Sequence, residues 1–435
     1  MKKIISLLAV LAILLTCAAA SADLASAKTA DGKTERNIQF QVTGDNPWPT
    51  DGTSPTTGRS LDQLAADYFE DGIGGMVVTG EYYPIMVQHC GYAGGVNQGA
   101  PFYGTYADVY YELAKSGTGH TRMAMIYNDL LPKYAGASRS TRVGYIWVRQ
   151  EWNAPYFFAG KQESSAEGSN LITNVNDVIT QLGLPYSGDN NTPWEQKVIF
   201  DGLAGSKRWL AYKYRLSNLS DACNVLWDLP GAVNGLLGQR SFEDHNHTWR
   251  FGALPEGGED AGTVYVLFKD TQATQVDSEG IFYFNSMYQY EPEENVYYRY
   301  MISDMDNPEN NPVPFEEQVL SNETVKDQGN NGIQSGYSMK ATLDKGNPIT
   351  FANVIVQYID MKWPGNEFPY PILLGSGNAD YFMGGKRYTG VWNRATYDDR
   401  TVFYGENGEE INLQPGRTFI ILMDINTEHR AVKYE

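Results

Sequence analysis

Five charged residues in one third of the chain have the types and spacing to do chemistry. Asp108 and Glu112 stand four apart in Ala107-Asp-Val-Tyr-Tyr-Glu112, Arg122 follows ten residues on, and Arg139 and Arg142 bracket Arg139-Ser-Thr-Arg142. A spacing of four puts both carboxylates on one face of a helix. A guanidinium offers a planar fork that matches a carboxylate or a phosphate. Two arrangements use the set. In one, the acids hold the arginines open around an anion. In the other, acids and arginines satisfy only each other and fix the fold, as ion-pair networks that imitate sites do. The internal network is the expectation, with Asp108, Glu112, Arg122, Arg139 and Arg142 as the ligand-binding set if a ligand is held at all.

Other constellations are less complete. Glu243-Asp-His-Asn-His247 would aim His245 and His247 to one side of a strand, a usable metal-ligand spacing, but further ligands would have to come from elsewhere. Asp304-Met-Asp-Asn-Pro-Glu-Asn-Asn311 begins like a calcium loop, then Pro308 displaces the next ligand. Both read as solvated loops, so no metal and no cofactor is assigned. Cys223 lacks a base at any defined spacing, and neither a Gly-x-Ser-x-Gly elbow nor Ser-x-x-Lys is present, so no catalytic residue is assigned. The glycines between Gly91 and Gly104 match neither phosphate-binding fingerprint. Trp209, Trp249 and Trp392 could stack on sugars, although such residues are more often core.

The elements that would position the five charges follow from apolar periodicity. The pattern predicts a short helix capped by Ser60, strands at 75–78 and 84–87, a helix over Tyr106–Lys115, and a strand over Thr121–Tyr127. A helix over 143–151, a strand at 155–158 and a helix over 174–182 come next. From about residue 263 the chain turns to strands at 264–268, 281–284, 296–301, 353–358, 381–392 and 418–423. A long polar loop is expected over 304–336. Hairpin turns are expected at Gly384-Gly385 and Asn407-Gly408. The fold class expected is α+β, an α/β N-terminal domain followed by a β-rich C-terminal domain.

The N-terminus reads as an export signal. Lys2-Lys3, an apolar run from Ile4 to Leu15 and Ala20-Ser-Ala22 give the n-region, h-region and cleavage site of a signal peptide over 1–22. Twelve apolar residues are too few to span a bilayer. Cys17 follows Leu-Leu-Thr, an imperfect lipid-attachment site, so ordinary cleavage is favoured over a lipid anchor. Residues 23–58 read as a linker, 59–260 and 261–435 as the two domains. The formal net charge is −19, and −21 once Lys2 and Lys3 leave with residues 1–22, which argues against nucleic acid and anionic membrane surfaces as partners. No transmembrane helix is expected. Cys90 and Cys223 remain in the exported chain, as a bridge or as two separate thiols.

Several segments, in order, resemble the YerB family of bacterial lipoprotein-like proteins, defined by domains of unknown function. They are Tyr83-Pro-Ile-Met-Val87, Ala107–Glu112 with Thr121-Arg122, Gly136-Ala-Ser-Arg-Ser-Thr-Arg142, and Asn353-Val-Ile-Val-Gln357. Gly375-Ser-Gly-Asn-Ala, Gly390-Val-Trp392, Asn407-Gly408 and Pro415-Gly-Arg-Thr418 follow. The resemblance spans roughly 54 to 425 and is weakest over 165–260. Phe158 and Cys223 stand where members of that family carry histidines, so a proton-transfer role for those positions does not carry over. The resemblance implies location and architecture and no activity. The functional expectation is a non-catalytic, extracytoplasmic binding or scaffolding protein of the cell envelope, with a cell-wall fragment or another envelope protein as partner. The alternative is an envelope hydrolase acting on cell-wall glycan or peptide through Asp108 or Glu112.

Overall fold

The structure is a computed structural model. It describes residues 24–28, 35–40, 52–68, 76–77, 82–91, 100–115, 121–163, 171–189, 191–203, 209–219, 224–238, 248–268, 285–302, 312–326, 337–364, 368–425 and 431–435. Among them strand outweighs helix by 49% to 14%, which corrects the expected α/β N-terminal domain: the N-terminal half is itself built of strands in large mixed sheets. Four α-helices are present among the described residues, over Leu61–Tyr68, Val143–Trp152, Val175–Gln181 and Leu229–Ala232.

The decisive difference lies at Tyr106–Lys115. Where a helix was expected, Gly104–Tyr106 makes one 3-10 turn and Val109–Ala114 is a fully buried strand. It pairs antiparallel with Thr121–Tyr127 on one side and parallel with Thr418–Asp424 on the other. A strand paired on both edges and buried on both faces reads as a near-continuous apolar run. Tyr110, Tyr111 and Leu113 supply that run, and their aromatic and apolar bulk suits the pleat. Its partner Thr418–Asp424 also pairs parallel with Asn353–Lys362, so the two halves of the sequence share one sheet. Tyr214–Leu216 against Tyr337–Met339 makes a second such join.

A separate six-stranded sheet contains, in order, Pro312–Pro314, Val296–Ile302, Asn285–Glu291, Thr263–Leu267 and Ala431–Tyr434, with Thr350–Phe351 paired off the Val296–Ile302 strand. The expected polar loop over 304–336 is partly corrected here. Glu316–Lys326 is an eleven-residue strand paired with Tyr337–Pro348, while 303–311 and 327–336 lie outside the described residues. The two hairpins form as their glycines require: Gly384 and Gly385 sit at φ 59° and 72° between Gly375–Met383 and Lys386–Arg394, and Gly408 sits at φ 78°. Asn174 caps its helix by accepting the backbone N–H of Asn176. Trp249 and Trp392 are buried and donate to backbone carbonyls of Thr401 and Tyr358, so both belong to the core.

Candidate functional site

A spacing of four is also even, so Asp108 and Glu112 share one side of an extended segment as they would one face of a helix. The fold nevertheless gives them different surroundings. Glu112 is 1% exposed. Thr121 Oγ1 donates to its Oε1 at 2.5 Å, and Arg299 Nη2 donates to both carboxylate oxygens at 3.3 and 3.4 Å. Arg299 comes from the six-stranded sheet, where alternation sets it on the same side as buried Tyr297 and Met301. Its guanidinium lies over Phe315 and Phe419, at 4.4 and 5.1 Å from the ring centroids. Burial opposes its charge, yet Glu112 and Tyr288 lift its pKa above the ordinary arginine value.

Asp108 is 0% exposed and sits where the strand begins. Its Oδ2 accepts the backbone N–H groups of Asn128 and Asp129, both at 2.9 Å, and the hydroxyl of Thr56 at 2.9 Å. Asp129 faces it and takes hydroxyls from Ser54 at 2.6 Å and Thr57 at 2.7 Å. Thr56 also reaches Asp129, at 3.2 Å. Arg59 stands 3.9 Å from Asp108. Burial, and then the Asp129 charge, push the Asp108 carboxyl far above the usual carboxylate range. Ser54 to Arg59, at the end of the stretch read as a linker and the start of the next, are thus packed against a buried carboxylate pair. Thr248 fastens this turn by donating to the carbonyl of Pro55, and Thr57 O accepts the N–H of Gly416 at 2.8 Å.

The three arginines are close enough to act on one another's charge, and the ion pairs of Asp108 and Glu112 among the described residues are with Arg59 and Arg299 instead. Segment 139–142 leaves the Ala135–Ser138 strand and runs beside 159–161, held by Ala159 N–H to Arg139 O at 3.2 Å and Thr141 N–H to Gly160 O at 2.9 Å. Arg142 then becomes the N-cap of the ten-residue helix Val143–Trp152, which has no side-chain cap and no acid in its first turn. Arg142 is 6% exposed. Its Nη1 donates to Thr141 O at 2.9 Å, its guanidinium lies 4.6 Å from the Phe368 ring centroid, and its Nε is buried with no hydrogen-bond partner among the described residues. Burial first, then the like charge of Arg122 and Arg139, hold its pKa down at about 9; Tyr145 and Tyr156 work the other way. Arg122 Nη1 donates to Ser140 O, and the Tyr145 hydroxyl donates to Arg122 O. Arg139 is half-buried. Neither Arg139 nor Arg142 forms an ion pair among the described residues.

Glu243–His247, Asp304–Asn311, Cys17 and Cys223 lie outside the described residues. Cys90 is buried, and His89 is buried with burial driving its pKa down to about 3, which keeps the ring neutral. No group of acids, histidines and cysteines suited to a metal occurs among the described residues. An open cleft of about 650 Å³ lies between 253–259, 387–389 and 405–412, lined by none of the five predicted residues. Its acids are partly spoken for: Glu259 pairs with Arg387 at 2.9 Å and Glu410 with Arg400 at 2.5 Å.

Sequence reasoning missed Arg299, Asp129, Arg59 and the Ser54, Thr56 and Thr57 hydroxyls. The turn former Ser54-Pro-Thr-Thr-Gly58 was visible, since serine and threonine hydroxyls bond locally in turns, but nothing local says that they reach residues more than seventy positions away.

Two family models match in chain order. The N-terminal domain of a protein of unknown function, DUF3048, matches residues 96–186, and its C-terminal domain matches 279–420. Comparison with curated proteins returns no match. Among solved structures, the YerB protein from Bacillus subtilis is similar in fold, at 14% sequence identity and a TM-score of 0.52, with 88% of this chain and 99% of that one covered. With both domain models matched in order over more than half of its length, the chain belongs to the YerB-like DUF3048 family of proteins of unknown function.

Proposed function

We propose that this protein is an extracytoplasmic, non-catalytic binding protein of the bacterial cell envelope, and that Arg122, Arg139 and Arg142 form its anion-binding site. The observation that carries the reading is Arg142: a buried cation at a helix N-terminus, its pKa held down by burial first and then by two neighbouring arginines, and answered by no carboxylate among the described residues. Burying charge of one sign is costly unless a counter-charge arrives. The positive end of a helix adds to the same demand. The signal-peptide pattern read in residues 1–22 and the family resemblance are what support the extracytoplasmic reading.

The hydrolase alternative needs a carboxylate at an open cleft. Asp108 and Glu112 are both buried; Asp108 Oδ2 accepts Thr56 and two backbone N–H groups, Asp108 Oδ1 is buried without a hydrogen-bond partner among the described residues, and Glu112 accepts Thr121 and Arg299. No observation favours that alternative.

The test is titration calorimetry of the exported chain with anionic wall fragments, repeated on Arg139→Ala. Binding that weakens in a variant with unchanged circular dichroism supports the site. Equal binding by both proteins sinks it. Mass spectrometry of the mature N-terminus addresses location: a chain beginning at Asp23 or a lipidated Cys17 supports export, and an intact residue 1 in the cytoplasmic fraction argues against it.

A further inference from the structure

We infer that the sheet face carrying Asp380 is a docking groove for an extended, basic peptide segment, and that the chain's own residues 35–40 occupy one end of it. The groove is separate from the arginines above and does not depend on them. Glu35–Gln39 pairs antiparallel with Leu24–Lys28, and this hairpin rests on the strands Gly375–Met383 and Lys386–Arg394.

Arg36 is held there as a bound guanidinium would be. Its Nη2 donates to Asp380 Oδ1 at 2.6 Å, and its Nη1 donates to the carbonyls of Ala379 and Gly390 at 2.7 and 3.0 Å. Asp380 is 1% exposed and also accepts the Tyr358 hydroxyl and Arg387. A carboxylate flanked by carbonyls matches the planar fork of arginine. Ile38 then joins Val391 and Val402 in one apolar cluster, and Phe40 stacks on Tyr404 with ring centroids 4.4 Å apart. An anchor followed by pockets for alternate side chains is how a sheet reads an extended segment.

The arm fills this face incompletely. Asn378 lies two residues before Asp380 and pairs with Val391, so it shares the face that receives Ile38. It is 1% exposed, and neither its Oδ1 nor its Nδ2 has a hydrogen-bond partner among the described residues. A buried primary amide with its donors and acceptors unused is costly. A single extended segment in place of the hairpin would offer it main-chain N–H and C=O groups.

The groove also continues past the arm. Arg387 and Thr389 lie on the same side of their strand as Val391, and both line the open cleft of about 650 Å³. The Gln39 carbonyl lies where a side chain at position 408 would stand, so Gly408 lets the arm end beside Asn407 and Glu409 in the cleft wall. Glu406 and Glu409 receive neutral donors there, from Thr389 and Asn407, and form no ion pair among the described residues. Cations further along a basic segment would answer them, and the net charge of −19 favours the approach of such a partner.

The experiment follows the fluorescence anisotropy of two labelled peptides added to the exported chain. One is residues 35–40; the other is the same segment followed by a lysine tail. The parent should bind the tailed peptide saturably through the open cleft. Arg36→Ala, whose internal competitor is weakened, should bind it about tenfold more tightly. Glu406→Gln combined with Glu409→Gln, both exposed positions, should weaken the tailed peptide about tenfold and leave the untailed one unchanged. Absence of saturable binding by both parent and Arg36→Ala overturns the inference. So does equal binding of a tailed peptide with alanine in place of its arginine, or tailed binding undiminished in the glutamate variant. Should Arg36→Ala lose its circular dichroism signature, the parent and the glutamate variant decide alone. A parent dimer that the untailed peptide dissolves would make the occupant the arm of a second copy, and overturns the basic-partner reading.

Discussion

The sheet that joins the two halves buries acids in one way, and the segment beside it buries arginines in the opposite way. At one end of the Val109–Ala114 strand, Asp108 and Asp129 are surrounded by three hydroxyls and two backbone N–H groups. Near the other end, Glu112 receives Thr121 and Arg299. Each carboxyl group is met by donors that the fold supplies, with Asp108 Oδ1 alone of these oxygens left without a hydrogen-bond partner among the described residues. Arg142 is met by backbone carbonyl, an aromatic face and more arginine. A fully answered charge is part of the scaffold, since removing its partner leaves a costly orphan. Arg142 has no carboxylate to answer it among the described residues, and that contrast is why the arginines and not the acids are assigned to binding.

The largest expected effect is at Arg299. Arg299→Ala leaves Glu112 buried without its cation and should cost about 3–5 kcal/mol of stability, read from urea unfolding. A loss below about 1 kcal/mol would mean that the ion pair is not holding the two sheets together.

The acid pair makes the next prediction, in pH. The folded-state pKa of Asp108 is raised to about 8, above its unfolded value, so the native state holds a proton that the unfolded chain gives up. Stability from this group is therefore greatest below the unfolded value and falls as pH climbs toward the folded one, with a slope approaching about 1.4 kcal/mol per pH unit in between. Asp108→Asn, neutral at every pH, should remove that slope. Unfolding curves for both proteins between pH 5 and 9 decide it, and parallel pH profiles would refute it.

A smaller effect is expected where only one hydroxyl leaves. Thr57→Ala removes a buried donor to Asp129 and should cost about 1.5–3 kcal/mol, the range for a hydrogen bond to a charged group. Thermal unfolding measures it, and a neutral result would show that Ser54 and Thr56 suffice. The smallest effect is expected at Arg139. Arg139→Ala removes a half-buried cation from beside two others, so stability should stay within about 0.5 kcal/mol of the parent. A large loss would class Arg139 with Arg299 and erase the contrast between the two regions.

Local patterns were legible over much of the chain. Thr121–Tyr127, the Val143–Trp152 helix, the Asn174-capped helix and the hairpins at Gly384-Gly385 and Asn407-Gly408 lie where periodicity and turn chemistry put them. Two readings misled for a physical reason. Over Val109–Ala114, a carboxylate spacing of four fits a helix and an even-numbered strand equally, and pairing on both edges settled the matter for strand. Over Glu316–Lys326, polar side chains suggested a loop, but a strand needs only one partner edge, which Tyr337–Pro348 provides.

The sequence alone determined which charges would share a side of the chain, because alternation and helical spacing are properties of neighbouring residues. It placed Asp108 with Glu112 and Arg139 close to Arg142, and its ordered segments carried the family. The tertiary structure alone decided which charge answers which. Glu112 found its cation 187 positions away, in another sheet, while Arg142, expected to serve it, became the N-cap of a helix whose first turn carries no acid. Electrostatic partnership depends on distance in space and on burial, and both are set by strand pairings between remote segments that no local pattern encodes.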